Sequence, residues 1–274
     1  YGEHREALEF NRDQHKELQE LAKNLDITFF STAFDIASAD FLEELDMPMY
    51  KIASGDLKHI PLLRHVACFG KPIILSTGGG TLEDIRRAVD TIVPINPQLA
   101  ILQCTAAYPC DFSELNLRVI NTLREEFPEL VIGLSDHDNG IAMSVAAYIL
   151  GARIIEKHFT LNRANRGTDH AFSLEPTGLR KMVRDLHRTR QALGDGIKGP
   201  VESEKRPLVK MSKALYSACP LPAGTVLSAE HIAFRCPGTI GLSPDFYDRV
   251  LGAKLKRDLK EEELILWEDL ELRP

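Results

Sequence analysis

VIGLSDH at 131–137 and IIEKHFT at 154–160 decide how this chain reads. Each is a short apolar run, rich in β-branched residues, that breaks into polar residues and a histidine. His137 and His158 stand 21 positions apart, with the helix-like stretch NGIAMSVAAYILGA (139–152) between them. Apolar runs without alternation are buried on both faces, as in parallel sheets covered by helices. The same rhythm runs upstream. ITFFST (27–32), YKIASGD (50–56), KPIILSTG (71–78) and LAILQCT (99–105) read as strands. SADFLEELD, LKHIPLLRHVACFG, TLEDIRRAVDTIV and LNLRVINTLREEF read as the helices that follow them, and TGLRKMVRDLHRTRQALG (177–194) closes the series. These are βα units.

Six such units fit an open doubly wound sheet or most of a (β/α)₈ barrel. The polar residues favour the barrel, because every strand ends in them: Ser31 and Thr32, Ser54 and Asp56, Ser76 and Thr77, Gln103 and Thr105, Ser135 to His137, Glu156 and His158. In a barrel all strand ends converge on one mouth, whereas an open sheet places its ligand crevice mainly at one switch point. The rhythm therefore predicts a (β/α)₈-type barrel over 1–195. Residues 196–212, polar and carrying Gly and Pro, read as a linker. A small β-rich domain follows at 213–274. Within it CPLPAGTVLSAEHI (219–232) and RDLKEEELILWEDL (257–270) resemble each other, which predicts internal pseudo-symmetry.

Composition narrows the function classes. The chain has 274 residues, 44% hydrophobic and 27% charged, and a net charge of −7. That charge gives no general basis for binding nucleic acid or an anionic membrane, so an anionic ligand needs a local cationic pocket. Five cysteines without a CxxC pair argue against a disulfide framework and for a reducing, cytoplasmic setting. No apolar run reaches membrane-spanning length. The chain opens on Tyr1 rather than Met, and further residues ahead of it are expected.

Two imidazoles at adjacent strand ends can share one divalent ion, with Asp136 and Glu156 placed to orient or supplement them. The alternative is a pair of hydrogen-bonded buried histidines. An open site of two imidazoles suits Mn²⁺, Fe²⁺ or Zn²⁺. In ILSTGGGTLEDI (74–85), Ser76, Thr77 and three glycines precede a helix that Thr81 and Asp84 can cap. This reads as an anion cradle or as a glycine-dependent turn. Lys51, inside a buried strand, needs an anionic ligand or a carboxylate such as Asp56.

YGEHREALEF, FFSTAFD, YKIASGD, PIILSTGG, LQCTAAYP, GLSDH, EKHFTL and GTDHAFSLEP together resemble the N-acetylneuraminate (sialic acid) synthase family over essentially the whole chain. The resemblance implies a (β/α)₈ barrel, six of whose eight units lie here, followed by an antifreeze-like β-clip domain. It implies condensation of phosphoenolpyruvate with N-acetylmannosamine, its 6-phosphate or a related acylamino hexose, giving a nonulosonic acid and phosphate. Thr32, Lys51, Ser54, Ser76, Tyr108 and Ser135 match positions that hold phosphoenolpyruvate. His137 and His158 match the metal ligands, usually filled by Mn²⁺, and Asp169 matches a sugar contact. The family's catalytic glutamate lies in a segment ahead of Tyr1, so this chain alone is expected to be impaired. A homodimer is implied, with the small domain capping the partner's site. Two positions depart from the pattern. Ala106 stands where an asparagine is common, and Cys236 stands where an arginine reaches the sugar. Arg235 lies one residue away and, on a strand, faces the other side. Another metal aldolase, another phosphoenolpyruvate-condensing barrel, or a non-catalytic carbohydrate-binding protein are the other readings.

Overall fold

The computed structural model describes residues 8–237 and 239–272. Most of YGEHREALEF therefore lies outside the described residues. The chain divides into two compact units, Tyr1–Gly194 and Asp195–Pro274.

The first unit alternates strands and helices. The strands are β1 (Ser31–Thr32), β2 (Tyr50–Ile52), β3 (Ile73–Ser76), β4 (Leu99–Cys104), β5 (Val131–Asp136) and β6 (Ile154–Lys157). Helices α1 (Arg12–Asn24), α2 (Ile36–Glu44), α3 (Ile60–Ala67), α4 (Leu82–Ile92), α5 (Val119–Glu126), α6 (Ala142–Leu150) and α7 (Pro176–Ala192) flank them. All six strands pair in parallel and in chain order, β1 to β6. A doubly wound sheet reverses its strand order at a switch point. This one does not, so the half-barrel reading holds and the open-sheet alternative falls.

Alternation along the strands separates two apolar clusters. Ile73, Leu75, Ile101, Ile132 and Leu134 face the helices and join the large core with Leu62, Ile85, Ala88 and Ile120. Ile74, Ala100 and Leu102 form a smaller cluster on the other face, with Phe30, Met49 and Ile154 packed against it. Helix starts follow their sequence cues. Thr81 caps α4 in a reciprocal box with Asp84, as expected. Helix α1 begins in the same way at Asn11 and Gln14. The apolar run at 27–32 is strand only over Ser31–Thr32, since β1 has a partner on one side alone.

In the second unit, β7 (Ala214–Ser217) pairs with β8 (Ile232–Arg235), and β9 (Lys254–Leu255) with β10 (Leu270–Glu271), both antiparallel. The predicted internal repeat is present as a backbone pseudo-twofold. Leu221 and Leu259, equivalent in the two repeats, exchange hydrogen bonds of 2.8 Å in both directions. The bridge Tyr216↔Leu264 has its counterpart in Val226↔Lys254. Gly224 and Glu262 occupy one equivalent turn position and both have positive φ, 86° and 58°. That conformation costs glycine little and strains a glutamate.

Residues 196–212, read as a linker, carry local structure: a 3₁₀ turn at Glu202–Glu204 leads into α8 (Lys205–Met211). The Glu204 carboxylate accepts from the Val201 amide, and Pro207 falls in the first turn, where its missing N–H costs nothing.

Candidate active site at the strand ends

The second apolar cluster gives way, two residues further along each strand, to polar groups on the same face. Met49 is followed by Lys51, Ile74 by Ser76 and Ile154 by Glu156. Thr32, Phe34, Lys51, Ala53, Ser54, Ser76, Tyr108, Ser135, His137, Glu156 and His158 line one cavity of about 310 Å³. All six residues expected to hold phosphoenolpyruvate are among them, together with both histidines.

Lys51 is 8% exposed. Its ammonium donates to Ser76 Oγ at 2.8 Å and to the Ile52 carbonyl at 3.0 Å, and lies 3.5 Å from a Glu156 oxygen. Asp56, the carboxylate suggested by sequence, faces His59 instead. The partner is Glu156, which comes from β6 and could not be found from local spacing. Burial lowers the Lys51 pKa, and Glu156 offsets part of that loss. The other Glu156 oxygen accepts from Ser135 Oγ at 2.6 Å.

The two histidine rings are 5.2 Å apart, centre to centre, at 70°. His137 Nδ1 lies 2.8 Å from the Thr105 carbonyl. A carbonyl only accepts, so Nδ1 carries the proton and Nε2 keeps its lone pair. His158 Nδ1 lies 3.5 Å from Asp169. This spacing suits two imidazoles sharing one ion with bonds of about 2.1 Å. Among the described residues no group of three or more His, Cys, Asp or Glu side chains forms a metal cage. The residues present thus fit an ion held by two imidazoles, with its remaining positions open. Burial and the neighbouring His137 hold the His158 pKa below the ordinary histidine range. For His137 burial acts the same way, but Cys104 and the Thr105 carbonyl outweigh it and raise the pKa. Tyr108 packs over both rings, 4.2 Å from His137 and 5.8 Å from His158.

One sequence-based assignment changes, and one of two open readings gains support. Asp136 does not orient a histidine: it points away, to Lys157 and Ser144. The glycine run is explained by packing and a turn. A Cβ at Gly78 would stand 2.9 Å from Ser54, Cys104 and Ala106, and Gly79 has φ of 73°. The Gly78 amide donates to Ser54 Oγ at 2.9 Å, so a side chain of the site takes the amide an anion would need. Asp169 touches His158 but is not part of the cavity wall. Arg235, in the second unit, is held by both oxygens of Glu262. Phe34, exposed at 63%, lines the cavity and was missed, because an aromatic two residues past a strand carries no sequence signal of its own.

The first unit is thus a parallel half-barrel whose strand-end cavity gathers a buried lysine, several hydroxyls and an imidazole pair. Residues 1–198 match the NeuB family and residues 212–271 the SAF domain; the chain belongs to the NeuB family. It is 36% identical over 271 residues to N-acetylneuraminate-9-phosphate synthase of Mus musculus, covering 99% of this chain and 76% of that protein. It is 37% identical over 263 residues to N,N'-diacetyllegionaminic acid synthase of Campylobacter jejuni, covering 95% of this chain and 78% of that one. Among solved structures, N-acetylneuraminic acid synthetase of Leptospira borgpetersenii, in complex with citrate, matches with a TM-score of 0.68 at 36% identity, covering 73% of this chain and 70% of that one. The spore coat polysaccharide biosynthesis protein of Bacillus subtilis matches at 0.66 and 34%, covering 97% and 79%.

Proposed function

We propose that this chain carries the site for condensing phosphoenolpyruvate with an N-acylamino hexose to give a nonulosonic acid and phosphate. One observation supports it above the rest: the lysine, the hydroxyls and both histidines line a single cavity. The relatives' printed names agree on the product class, with sialic and legionaminic acid synthases among them.

Lys51 supplies the cationic centre for a substrate carboxylate or phosphate, and Thr32, Ser54, Ser76 and Ser135 present hydroxyls around it. Glu156 keeps the lysine oriented before substrate arrives. His137 and His158 hold a divalent ion, proposed as Mn²⁺, and such an ion supplies Lewis-acid polarisation of the sugar carbonyl. The phosphoenolpyruvate methylene carbon bonds to the aldehyde carbon, whose oxygen becomes a hydroxyl. Water adds at the former C2, and phosphate leaves with its bridging oxygen. Tyr108 covers the histidine rings and limits water around them. Asp169 is the proposed sugar contact. The hexose is N-acetylmannosamine, its 6-phosphate or a close acylamino relative. The reading includes a cytoplasmic homodimer in which the small domain caps the partner's site.

The test is phosphate release from phosphoenolpyruvate with N-acetylmannosamine, its 6-phosphate and unrelated aldehydes. It is run on the complete protein, including any segment ahead of Tyr1. Turnover with an acylamino hexose is expected. Equal turnover with arabinose or erythrose phosphates, or sugar binding without phosphate release, sinks the reading.

A further inference from the structure

Both histidines stand one residue past the strands that carry them, since β5 ends at Asp136 and β6 at Lys157. Outside the six-stranded ladder each has one backbone tie, the His137 carbonyl accepting from the Cys110 amide at 3.1 Å and the His158 carbonyl from the Leu174 amide at 2.8 Å. What lies behind them is a buried ionic cluster. Lys157 Nζ is 3.2 Å from Asp136 Oδ2 and bonds Asp138 twice, through its carboxylate and, at 2.8 Å, its backbone carbonyl. Ser144 of α6 donates to Asp136 at 3.2 Å, and the Asp138 amide donates to Asp136 Oδ1 at 3.0 Å. The Lys157, Asp136 and Asp138 side chains are 3%, 0% and 1% exposed.

Strand alternation places this cluster on the face opposite the cavity. In the β5–β6 register Ser135 pairs with Glu156 and Asp136 with Lys157. Ser135, His137, Glu156 and His158 point into the cavity, while Asp136, Asp138 and Lys157 interlock behind. A one-residue slip of β6 against β5 would exchange the faces and break every tie of Lys157. Buried ion clusters are seldom more stabilising than apolar residues of the same volume. Stability alone gives this one no reason to be ionic. We infer that Asp136, Asp138 and Lys157, with Ser144 behind them, act as a positioning clamp that fixes the height and facing of His137 and His158. The Lys157 bond to the Asp138 carbonyl pins the backbone just after His137, and Lys157 itself immediately precedes His158. This rests on reading the two histidines as the pair that holds a divalent ion.

The main variant is the triple replacement Asp136→Asn, Asp138→Asn, Lys157→Met, which removes the charges together and strands none of them in the interior. Mn²⁺ affinity, followed by electron paramagnetic resonance of the free ion, should fall about 10- to 100-fold. Phosphoenolpyruvate binding measured by calorimetry in chelator should fall by no more than about a third of that change on a logarithmic scale, because Lys51 and Ser76 sit on other strands and only Ser135 and Glu156 share β5 and β6 with the cluster. General loosening would weaken both equally, and would overturn the clamp. Ser144→Ala is the mild variant: it removes one bond, and Mn²⁺ affinity should drop about three- to fivefold. If the triple variant does not fold, parental Mn²⁺ affinity in Ser144→Ala overturns the inference. A metal-free crystal structure of whichever variant folds gives a second readout. The ring pair should depart from its 5.2 Å spacing or lose the Thr105 bond. Rings that superpose on the parent's refute the clamp. Should the parent bind no Mn²⁺, the metal reading fails, and this ring geometry alone decides the clamp.

Discussion

The two ends of the same inward-facing strand surface differ in kind. At one end Met49, Ile74, Ala100, Leu102 and Ile154 pack as hydrocarbon. Two residues on, Lys51, Ser76, Glu156 and their neighbours form a polar cavity in which the lysine is nearly as buried as its apolar neighbours. The first end can be explained by transfer of side chains out of water. The second cannot, because a buried ammonium costs stability unless something anionic meets it. Glu156 meets it only at 3.5 Å, and so leaves the cation able to attract a further anion. Fold and chemistry are thus separated along the strand axis, and each end should fail in its own way when altered.

The largest effect is expected at the polar end. His137→Ala should abolish Mn²⁺ binding and reduce turnover at least about 1,000-fold, with little change in the melting temperature. Metal-binding titration and kcat on the complete protein check it; preserved turnover removes His137 from the site. Lys51→Ala should raise KM for phosphoenolpyruvate about 100-fold, as expected for loss of a buried charged partner, and leave sugar KM within about threefold. Equal changes in both would mean that the pocket has collapsed rather than lost its cation.

At the apolar end the effect moves to stability. Leu102 is fully buried within the smaller cluster, so Leu102→Ala should cost about 2–5 kcal/mol. Denaturant midpoints measure this, while KM values in the folded protein should stay unchanged. A KM shift without a stability change would erase the distinction between the two ends.

The pH response sharpens the same comparison. Burial depresses the Lys51 pKa, so its charge is present at low pH and lost as pH rises through that lowered value. Phosphoenolpyruvate affinity should therefore decline on the alkaline side, beginning below the range of a free lysine at about 10.4. Arginine keeps its charge throughout this range, so Lys51→Arg should remove that alkaline decline even if affinity suffers. A decline that survives in Lys51→Arg belongs to another group.

Much of this was legible in the chain. Non-alternating runs ending in Ser, Thr or His marked both the parallel sheet and its functional end, because burial on two faces suppresses the polar half of the pattern. The partners of those residues were harder to read. Glu156 reaches Lys51 across strands far apart in sequence, and Asp136 looked like a companion of His137 although alternation turns it to the opposite face. Lys157 carries no signal of its own, since an isolated lysine beside a histidine usually means solvent. Its burial depends on two aspartates that only the β5–β6 register brings to it.

The smallest effect is expected in the second unit, at Arg235. Its guanidinium lies against both oxygens of Glu262 and is about half exposed. Glu262 is the residue that takes the positive-φ turn position occupied by Gly224 in the other repeat. The ion pair therefore ties β8 to the strained turn of the second repeat, a job internal to this unit. An exposed pair of this kind contributes little to stability. Arg235→Ala should accordingly shift the melting temperature by only a degree or two and leave sugar KM within about threefold. Glu262→Gly tests the same assignment from the other side, since relief of backbone strain should offset the lost pair and stability should hold or rise. If Arg235→Ala instead raises sugar KM tenfold while Glu262→Gly does not, the arginine has left its glutamate to reach substrate. It would then be filling the place of the arginine that Cys236 lacks.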